Sequence, residues 1–274
     1  MQRLAYTWRN QGKRIGLVPT MGALHQGHLS LLDTIKPHCD VLIVSIFVNP
    51  TQFGPNEDLD SYPRDMDGDV AKLSKRGCEY IFAPDRMQMY PEGYRTYISV
   101  EGMDRKLCGA TRPGHFRGVA TIVAKLFHIT RCHVAIFGLK DYQQSVILKK
   151  MVADLNMSVE ILLAPIIRES DGLAMSSRNA YLTPALRKQA VVLNQALTLA
   201  EKEVNGGIMG AAVIRNAMVA MIQEQPDAVI DYVSIVDPET LEDIAEVRGK
   251  AVAAVAVNFG RARLIDNRIL HTDS

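Results

Sequence analysis

The stretch VPTMGALHQGHLSLL, Val18 to Leu32, is an apolar approach, a glycine-containing turn and two histidines three positions apart where a helix begins. A helix N-terminus exposes unpaired backbone N–H groups and roughly half a positive charge, so an anion is stabilised there without any cationic side chain. Phosphate is the usual guest. Gly22 and Gly27 let the backbone approach such a ligand closely, and Pro19 and Thr20 close the strand at the sheet edge where ligands of open α/β folds bind. His25 and His28 then face the same guest, able to donate hydrogen bonds, or charge when protonated, to an oxygen that becomes more negative during reaction. Histidines at a helix start also serve as caps or surface residues, so this pair alone leaves the choice open. Zinc is disfavoured, because no cysteine, aspartate or third histidine lies nearby at ligand spacing.

Outward from this turn, residues 14 to 163 repeat one order: a short apolar run, a turn, an amphipathic stretch. IGLVPT, VLIVSIFV, EYIFAP, HVAIFG and SVEILLAP are mostly apolar throughout rather than alternating, as expected of strands covered on both faces. Helices are expected near His28–Lys36, Tyr62–Arg76, Val119–Thr130 and Tyr142–Asn156. That succession predicts an α/β fold with an open parallel sheet, right-handed crossovers and a ligand beyond the strands' carboxyl ends. After Pro165 the texture changes: IIRESDGLAMSSRN is polar, two long helical patterns break at Gly206-Gly207, and strands follow at DYVSIVD and AVAAVAVNFG. The expected division is a nucleotide-binding domain over 1–166 and a smaller α+β domain over 167–274 that closes on it.

The 274 residues are 47% hydrophobic and 22% charged with a net charge of +1, which fits a globular chain whose partners are small molecules rather than nucleic acid or an anionic membrane. Cys39, Cys78, Cys108 and Cys132 form no CxxC pair. No export signal opens the chain, and no apolar run reaches the ~20 residues that span a bilayer. A reducing cytoplasm is the expected location.

Three further motifs fall at predicted strand ends or at the domain junction. In NPTQF, Asn49 and Gln52 carry neutral amides that both donate and accept, suited to a hydroxy acid, although Asn-Pro is also an ordinary turn signal. In FGLKDYQQ, Gly138 precedes Lys140, a mobile point charge for phosphates, and Asp141, favourable at a helix start. AMSSRN offers the hydroxyls of Ser176 and Ser177 and the planar fork of Arg178, the makings of a phosphate clamp, or simply a linker. TRPGHFRG, with Arg112, His115 and Arg117, reads as a basic loop ahead of an apolar helix and receives no catalytic role.

PTMGALHQGH resembles the HxGH signature of the nucleotidyltransferases, which include class I aminoacyl-tRNA synthetases and adenylyltransferases. The longer VPTMGALHQGH is similar to the pantothenate synthetase (pantoate beta-alanine ligase) family, as are FVNPTQFGPNEDLDSYPRD, TRPGHFRGV, FGLKDYQQ and DGLAMSSRNAYL, in that order along nearly the whole chain. The resemblance implies a Rossmann-like sheet with helices on both faces, and a ligase that activates pantoate as an adenylate with ATP and Mg2+, then transfers it to beta-alanine. By the same resemblance, ATP is held by Met21, Gly22, Ala23, Leu24, His25, Gln26, Gly27 and His28, by Gly138, Leu139, Lys140 and Asp141, and by Ile167, Met175, Ser176, Ser177 and Arg178. His25, His28, Lys140, Ser176, Ser177 and Arg178 would stabilise the transferring phosphate, while Asn49, Gln52 and Gln144 would bind the acids, Gln52 touching both. The family is homodimeric. It usually carries glutamate where this chain has Leu139 and a strand ahead of the first helix, where this chain opens, and AMSSRN departs from the wider group's KMSKS loop in lacking its first lysine and replacing its second by arginine. An adenylyltransferase that keeps AMP in its product, a small amino-acid-activating ligase or a nucleotide sensor are the competing readings; a tRNA partner is disfavoured by the near-neutral charge.

Overall fold

The computed structural model describes residues 1–55 and 57–272; Asn56 of the NPTQFGPN stretch, Asp273 and Ser274 lie outside the described residues. The described residues form two compact units, Met1–Arg105 with Arg112–Leu139 and Gln144–Pro165, and Lys106–Thr111 with Lys140–Gln143 and 166–272.

The apolar runs of the first unit become β1 (Ile15–Thr20), β2 (Val41–Ile46), β3 (Tyr80–Phe82), β4 (Val134–Gly138) and β5 (Glu160–Ala164). They form one parallel sheet in the order β3-β2-β1-β4-β5. The helices up to this point are α1 (Gln2–Asn10), α2 (Gln26–Ile35), α3 (Met66–Lys75), α4 (Arg86–Met89), α5 (Cys108–Thr111), α6 (His115–Thr130) and α7 (Tyr142–Asp154). The period of two along each strand sorts its side chains onto two cores. Ile15, Leu17, Val41, Ile43, Ala135 and Phe137 pack with α1, α6 and α7 on one face. Val18, Leu42, Val44, Val134 and Ile136 pack with α2 and α3 on the other. Each large aliphatic side chain so buried contributes about 1.5–3 kcal/mol relative to exposure, which is why near-continuous apolar strands are stable here.

Three helix starts differ from those the sequence suggests: α2 begins at Gln26 rather than His28, and two others differ by four residues. α3 begins at Met66 rather than Tyr62, because Asp65 is its N-cap, with Oδ1 accepting the Gly68 N–H at 3.0 Å. α6 begins at His115, so HFRG forms its first turn instead of a loop; Gly114, at φ +83°, makes the left-handed turn that admits it.

The second unit places α8 (Pro184–Ala190), α9 (Val192–Asn205) and α10 (Ala211–Gln223) with β6 (Ala228–Val236), β7 (Lys250–Phe259) and β8 (Ala262–His271), an antiparallel sheet in the order β6-β7-β8. Leu193, Leu197, Ile214 and Met218 of α9 and α10 meet Val255, Val257 and Phe259 of β7 in one core. The sequence does not mark β8 as a strand, because ARLIDNRILH is rich in polar and charged residues. Three of them are engaged in ion pairs: Arg263 with Asp231, Asp266 with Arg168, and Arg268 with Glu201. Among the described residues no helix is long and apolar enough to cross a membrane.

Candidate active site

The strand order reverses between β1 and β4, and in open α/β sheets ligands bind beyond the strands' carboxyl ends at such a switch point. β1 ends in Thr20, whose hydroxyl donates to the Ser45 carbonyl at 2.7 Å and accepts the Gly22 N–H at 3.3 Å. The chain then turns through Gly22 at φ +86° and Ala23 at φ +50°. A buried carboxylate fixes the turn from outside the motif: Asp69 of α3, 1% exposed, accepts the Leu24 N–H at 2.7 Å. A Cβ at Gly22 would lie 3.2 Å from the other Asp69 oxygen, so glycine suits both the backbone angle and the fit. Leu24 sends its side chain into the sheet core and has only backbone to offer a ligand, whereas Gln26 is exposed.

His25 is the N-cap of α2. Its Nδ1 accepts the Gly27 N–H at 3.1 Å, while His28 Nδ1 accepts the His25 N–H at 3.3 Å, and the two ring centroids lie 4.0 Å apart with planes inclined at 37°. An imidazole that accepts at Nδ1 carries its proton at Nε2 when neutral. The backbone thus selects, on both rings, the tautomer that is a donor at Nε2. The sequence offered cap and ligand as alternatives; the geometry makes the cap the device that orients the donors.

Asn49 and Gln52 follow β2. Asn49 is 1% exposed, and its amide is engaged throughout by protein groups. Nδ2 donates to the Gly118 carbonyl at 3.2 Å and to Gln52 Oε1 at 2.9 Å, and Oδ1 accepts from Tyr90 at 2.8 Å and Thr51 at 3.0 Å. Burial pushes the Tyr90 phenol up to about 12, so it remains a donor to Asn49. A backbone carbonyl only accepts, which fixes which end of Asn49 meets Gly118 and, through it, which end of Gln52 meets Asn49. Gln52 Nε2 is thereby turned to Met21, 3.2 Å from its sulfur, joining the NPTQF motif to the HxGH turn. Gly118 permits this arrangement, since a Cβ there would stand 2.3 Å from the Thr51 carbonyl oxygen.

The basic TRPGHFRG segment reaches the same place. Arg112 grips Glu57 with Nε and Nη2 at 2.7 and 2.6 Å, and His115 Nδ1 lies 2.8 Å from the Gln52 carbonyl. That carbonyl can only accept, so Nδ1 carries the proton and Nε2 accepts Arg112 Nη1 at 3.0 Å. Burial would raise the Glu57 carboxyl, but the Arg112 guanidinium outweighs it and holds it below its ordinary value. Asp69, Tyr90 and Glu57 escaped the sequence reading. Asp69 reads locally as a first-turn acid of its helix, and nothing local marks the other two.

After β4, Gly138 and Leu139 belong to the first unit, as does Gln144 on α7. In the second unit Lys140 is half-buried, and its carbonyl accepts Asn267 Nδ2 of β8 at 2.9 Å. Ile167 and Met175 face each other across a hairpin, the Met175 N–H donating to the Ile167 carbonyl at 2.9 Å. Ser176 then caps a short 3-10 helix, Ser177–Tyr181, its Oγ accepting the Arg178 N–H at 3.3 Å. Ser176, Ser177 and Arg178 are therefore consecutive on one tight turn. Among the described residues no group of three or more His, Cys, Asp or Glu stands together in a way that would hold a metal ion.

A family model described as pantoate-beta-alanine ligase matches residues 1–269. The chain belongs to the pantoate-beta-alanine ligase family. Its relatives in that family include the pantothenate synthetase of Acetivibrio thermocellus, 53% identical over 270 residues, 98% of this chain and 96% of the relative. A crystal structure of pantothenate synthetase from Thermus thermophilus superposes with a TM-score of 0.92 at 43% identity, covering 96% of each chain. The Francisella tularensis pantoate-beta-alanine ligase, solved with beta-gamma ATP and beta-alanine, is 33% identical with a TM-score of 0.79 over 97% of this chain and 95% of its own. The Rossmann-like parallel sheet and the small antiparallel sheet of this chain are those of the family.

Proposed function

We propose that this chain condenses pantoate with beta-alanine at the expense of ATP, forming pantothenate through a pantoyl adenylate and releasing pyrophosphate and AMP. The observation that carries this reading is the family match across residues 1–269. The ATP and beta-alanine bound by the Francisella relative support the same two ligands here. The chemistry calls for activation, because a carboxylate oxygen is a poor leaving group. The pantoate carboxylate attacks the α-phosphorus and pyrophosphate departs. The beta-alanine amine then attacks the acyl carbon, AMP departs, and the amine loses a proton.

Charge grows on the α-phosphate oxygens and on the departing pyrophosphate, so donors fixed beforehand lower the barrier most. Nε2 of His25 and His28, tethered through Nδ1, are such donors. Lys140, Ser176, Ser177 and Arg178 complete the set of proposed donors. The remaining ATP contacts are Met21 to Gly27, Gly138, Leu139, Asp141, Ile167 and Met175. Gln52, oriented by Asn49, reads the hydroxy acid and the amine, with Gln144 beside them. His25, His28, Lys140, Ser176, Ser177 and Arg178 offer donors suited to phosphate oxygens rather than to a bare cation, so Mg2+ would accompany ATP mainly through phosphate oxygens and water and would neutralise part of the polyphosphate charge. The enzyme works in the cytoplasm as a homodimer; four free cysteines suit a reducing compartment.

Labelled pyrophosphate exchange into ATP, run with pantoate and without beta-alanine, tests the reading. Exchange that requires pantoate is expected, and addition of beta-alanine should yield AMP and an amide. Exchange independent of pantoate, or none, would remove the adenylate.

A further inference from the structure

The Ser176–Arg178 turn is tied through Asn179 to the carboxylate of Glu169. Glu169 sits in the hairpin just before the turn, where its N–H donates to the Leu173 carbonyl at 2.8 Å and the Gly172 N–H returns to the Glu169 carbonyl at 2.9 Å. Its Oε1 accepts Asn179 Nδ2 at 2.8 Å, and Asn179 lies one residue beyond Arg178. The same Asn179 amide donates to the Ala174 carbonyl at 3.1 Å, and the Asn179 N–H donates to the Ser176 carbonyl at 3.0 Å. A third element closes the frame: Arg187 of α8 donates to Glu169 Oε2 at 2.9 Å and to Asp171 Oδ2 at 2.8 Å. The strand before the turn, the turn itself and the helix after it thus converge on Glu169.

We infer that Glu169 is a positioning residue of the ligase reaction, holding the Ser176–Ser177–Arg178 turn through Asn179 in the geometry that meets the polyphosphate. This rests on the proposed function and extends it to residues that touch no substrate. A turn of small hydroxylated residues has little side-chain packing of its own, so its geometry depends on hydrogen bonds from outside it. Two carboxylates beside a polyanion site would also repel the ligand, and Arg187 forks between Glu169 and Asp171 and engages both. Burial would raise the Glu169 carboxyl, but hydrogen bonds from Arg187 and Asn179 hold it below its ordinary value, so it is ionised near neutral pH.

The test is pantoate-dependent pyrophosphate exchange by the full chain and by Glu169→Ala, Glu169→Gln and Asn179→Ala, with kcat, the KM values for ATP and pantoate, and thermal midpoints. Displacing a reacting group by about an ångström costs up to about a hundredfold in rate, so Glu169→Ala and Asn179→Ala should lose about ten- to a hundredfold in kcat. Pantoate KM should stay within about twofold, since pantoate is read elsewhere. Glu169→Gln keeps an oxygen for Asn179 and should recover most of the kcat that Glu169→Ala loses. If Glu169→Ala does not fold, Asn179→Ala decides alone, because it leaves the Glu169–Arg187 pair in place. A folded Asn179→Ala with unaltered kcat, or a pantoate KM that rises in step with the loss of kcat, overturns the inference. Exchange by the unaltered chain alongside unaffected variants sinks this inference alone, whereas no exchange by the unaltered chain sinks the proposed function and this with it.

Discussion

His28 accepts the His25 backbone N–H through Nδ1 while the two ring centroids lie 4.0 Å apart with planes inclined at 37°, so the nitrogen that serves the helix also sets the proton of the neutral ring on Nε2. The two duties can be separated. In His28→Asn the amide oxygen can replace Nδ1 in the cap, but nothing replaces Nε2. The variant should fold with an unchanged thermal midpoint and lose about a hundredfold or more in exchange kcat, the usual effect of deleting one fixed donor. His28→Gln, whose amide nitrogen reaches closer to the Nε2 position, should keep more activity than His28→Asn. Equal activity in both, measured by steady-state exchange, would place the chemistry elsewhere. Lys140→Ala should fall by a similar factor without loss of the fold.

Asn49→Asp replaces a donor by an acceptor facing the Gly118 carbonyl and Gln52 Oε1. Two acceptor–acceptor contacts in a site only 1% exposed should cost at least about 1–3 kcal/mol and release the orientation of Gln52. Pantoate KM should rise more than ATP KM. Urea denaturation and substrate titrations check the two halves separately.

Gly118→Ala forces a Cβ to within 2.3 Å of the Thr51 carbonyl oxygen and 2.7 Å of the Gln52 backbone nitrogen unless α6 or the turn moves. Overpacking of this kind costs about 1–3 kcal/mol. The displaced partner is the backbone that carries Gln52, so pantoate KM should rise again with ATP KM little changed. A variant of wild-type stability and kinetics would show that the contact relaxes freely.

His133 lies at the opposite, amino end of the sheet, with Nδ1 accepting the Ile15 N–H at 2.9 Å and Nε2 3.2 Å from Arg9 Nε. Burial, then the charges of Arg9 and Arg14, lower its pKa from 6.5. The unfolded chain therefore takes up this proton first as pH falls. The neutral ring's contribution to stability is complete above about 6.5 and is lost below it, as pH drops through the folded value. Subtracting the thermal midpoints of His133→Gln from those of the unaltered chain between pH 7.5 and 5 should give a difference that shrinks with acid. A difference that grows would reverse the assigned shift.

The sheet was legible because its central strands β1, β2 and β4 are covered on both faces and so announce themselves by nearly continuous apolar runs. β8 was hidden because its polar positions are satisfied by ion pairs with residues distant in sequence, such as Asp266 with Arg168, and periodicity cannot register such partners. The same distinction holds at the site. Short-range grammar exposes the HxGH turn and the serine-rich loop. Asp69, Tyr90 and Glu57 act across 45, 41 and 55 residues of sequence, so only the folded chain brings them to Leu24, Asn49 and Arg112.

The acceptor from which Asn49 and Gln52 take their direction is a main-chain carbonyl, which no codon change at position 118 can delete. On the proposed reading of the acid by these amides, retuning to a different organic acid has to proceed at the amides or through the axial tilt of the helix bearing that carbonyl. Libraries that randomise position 118 would lose stability and shift the backbone under Gln52 before they sampled new selectivity.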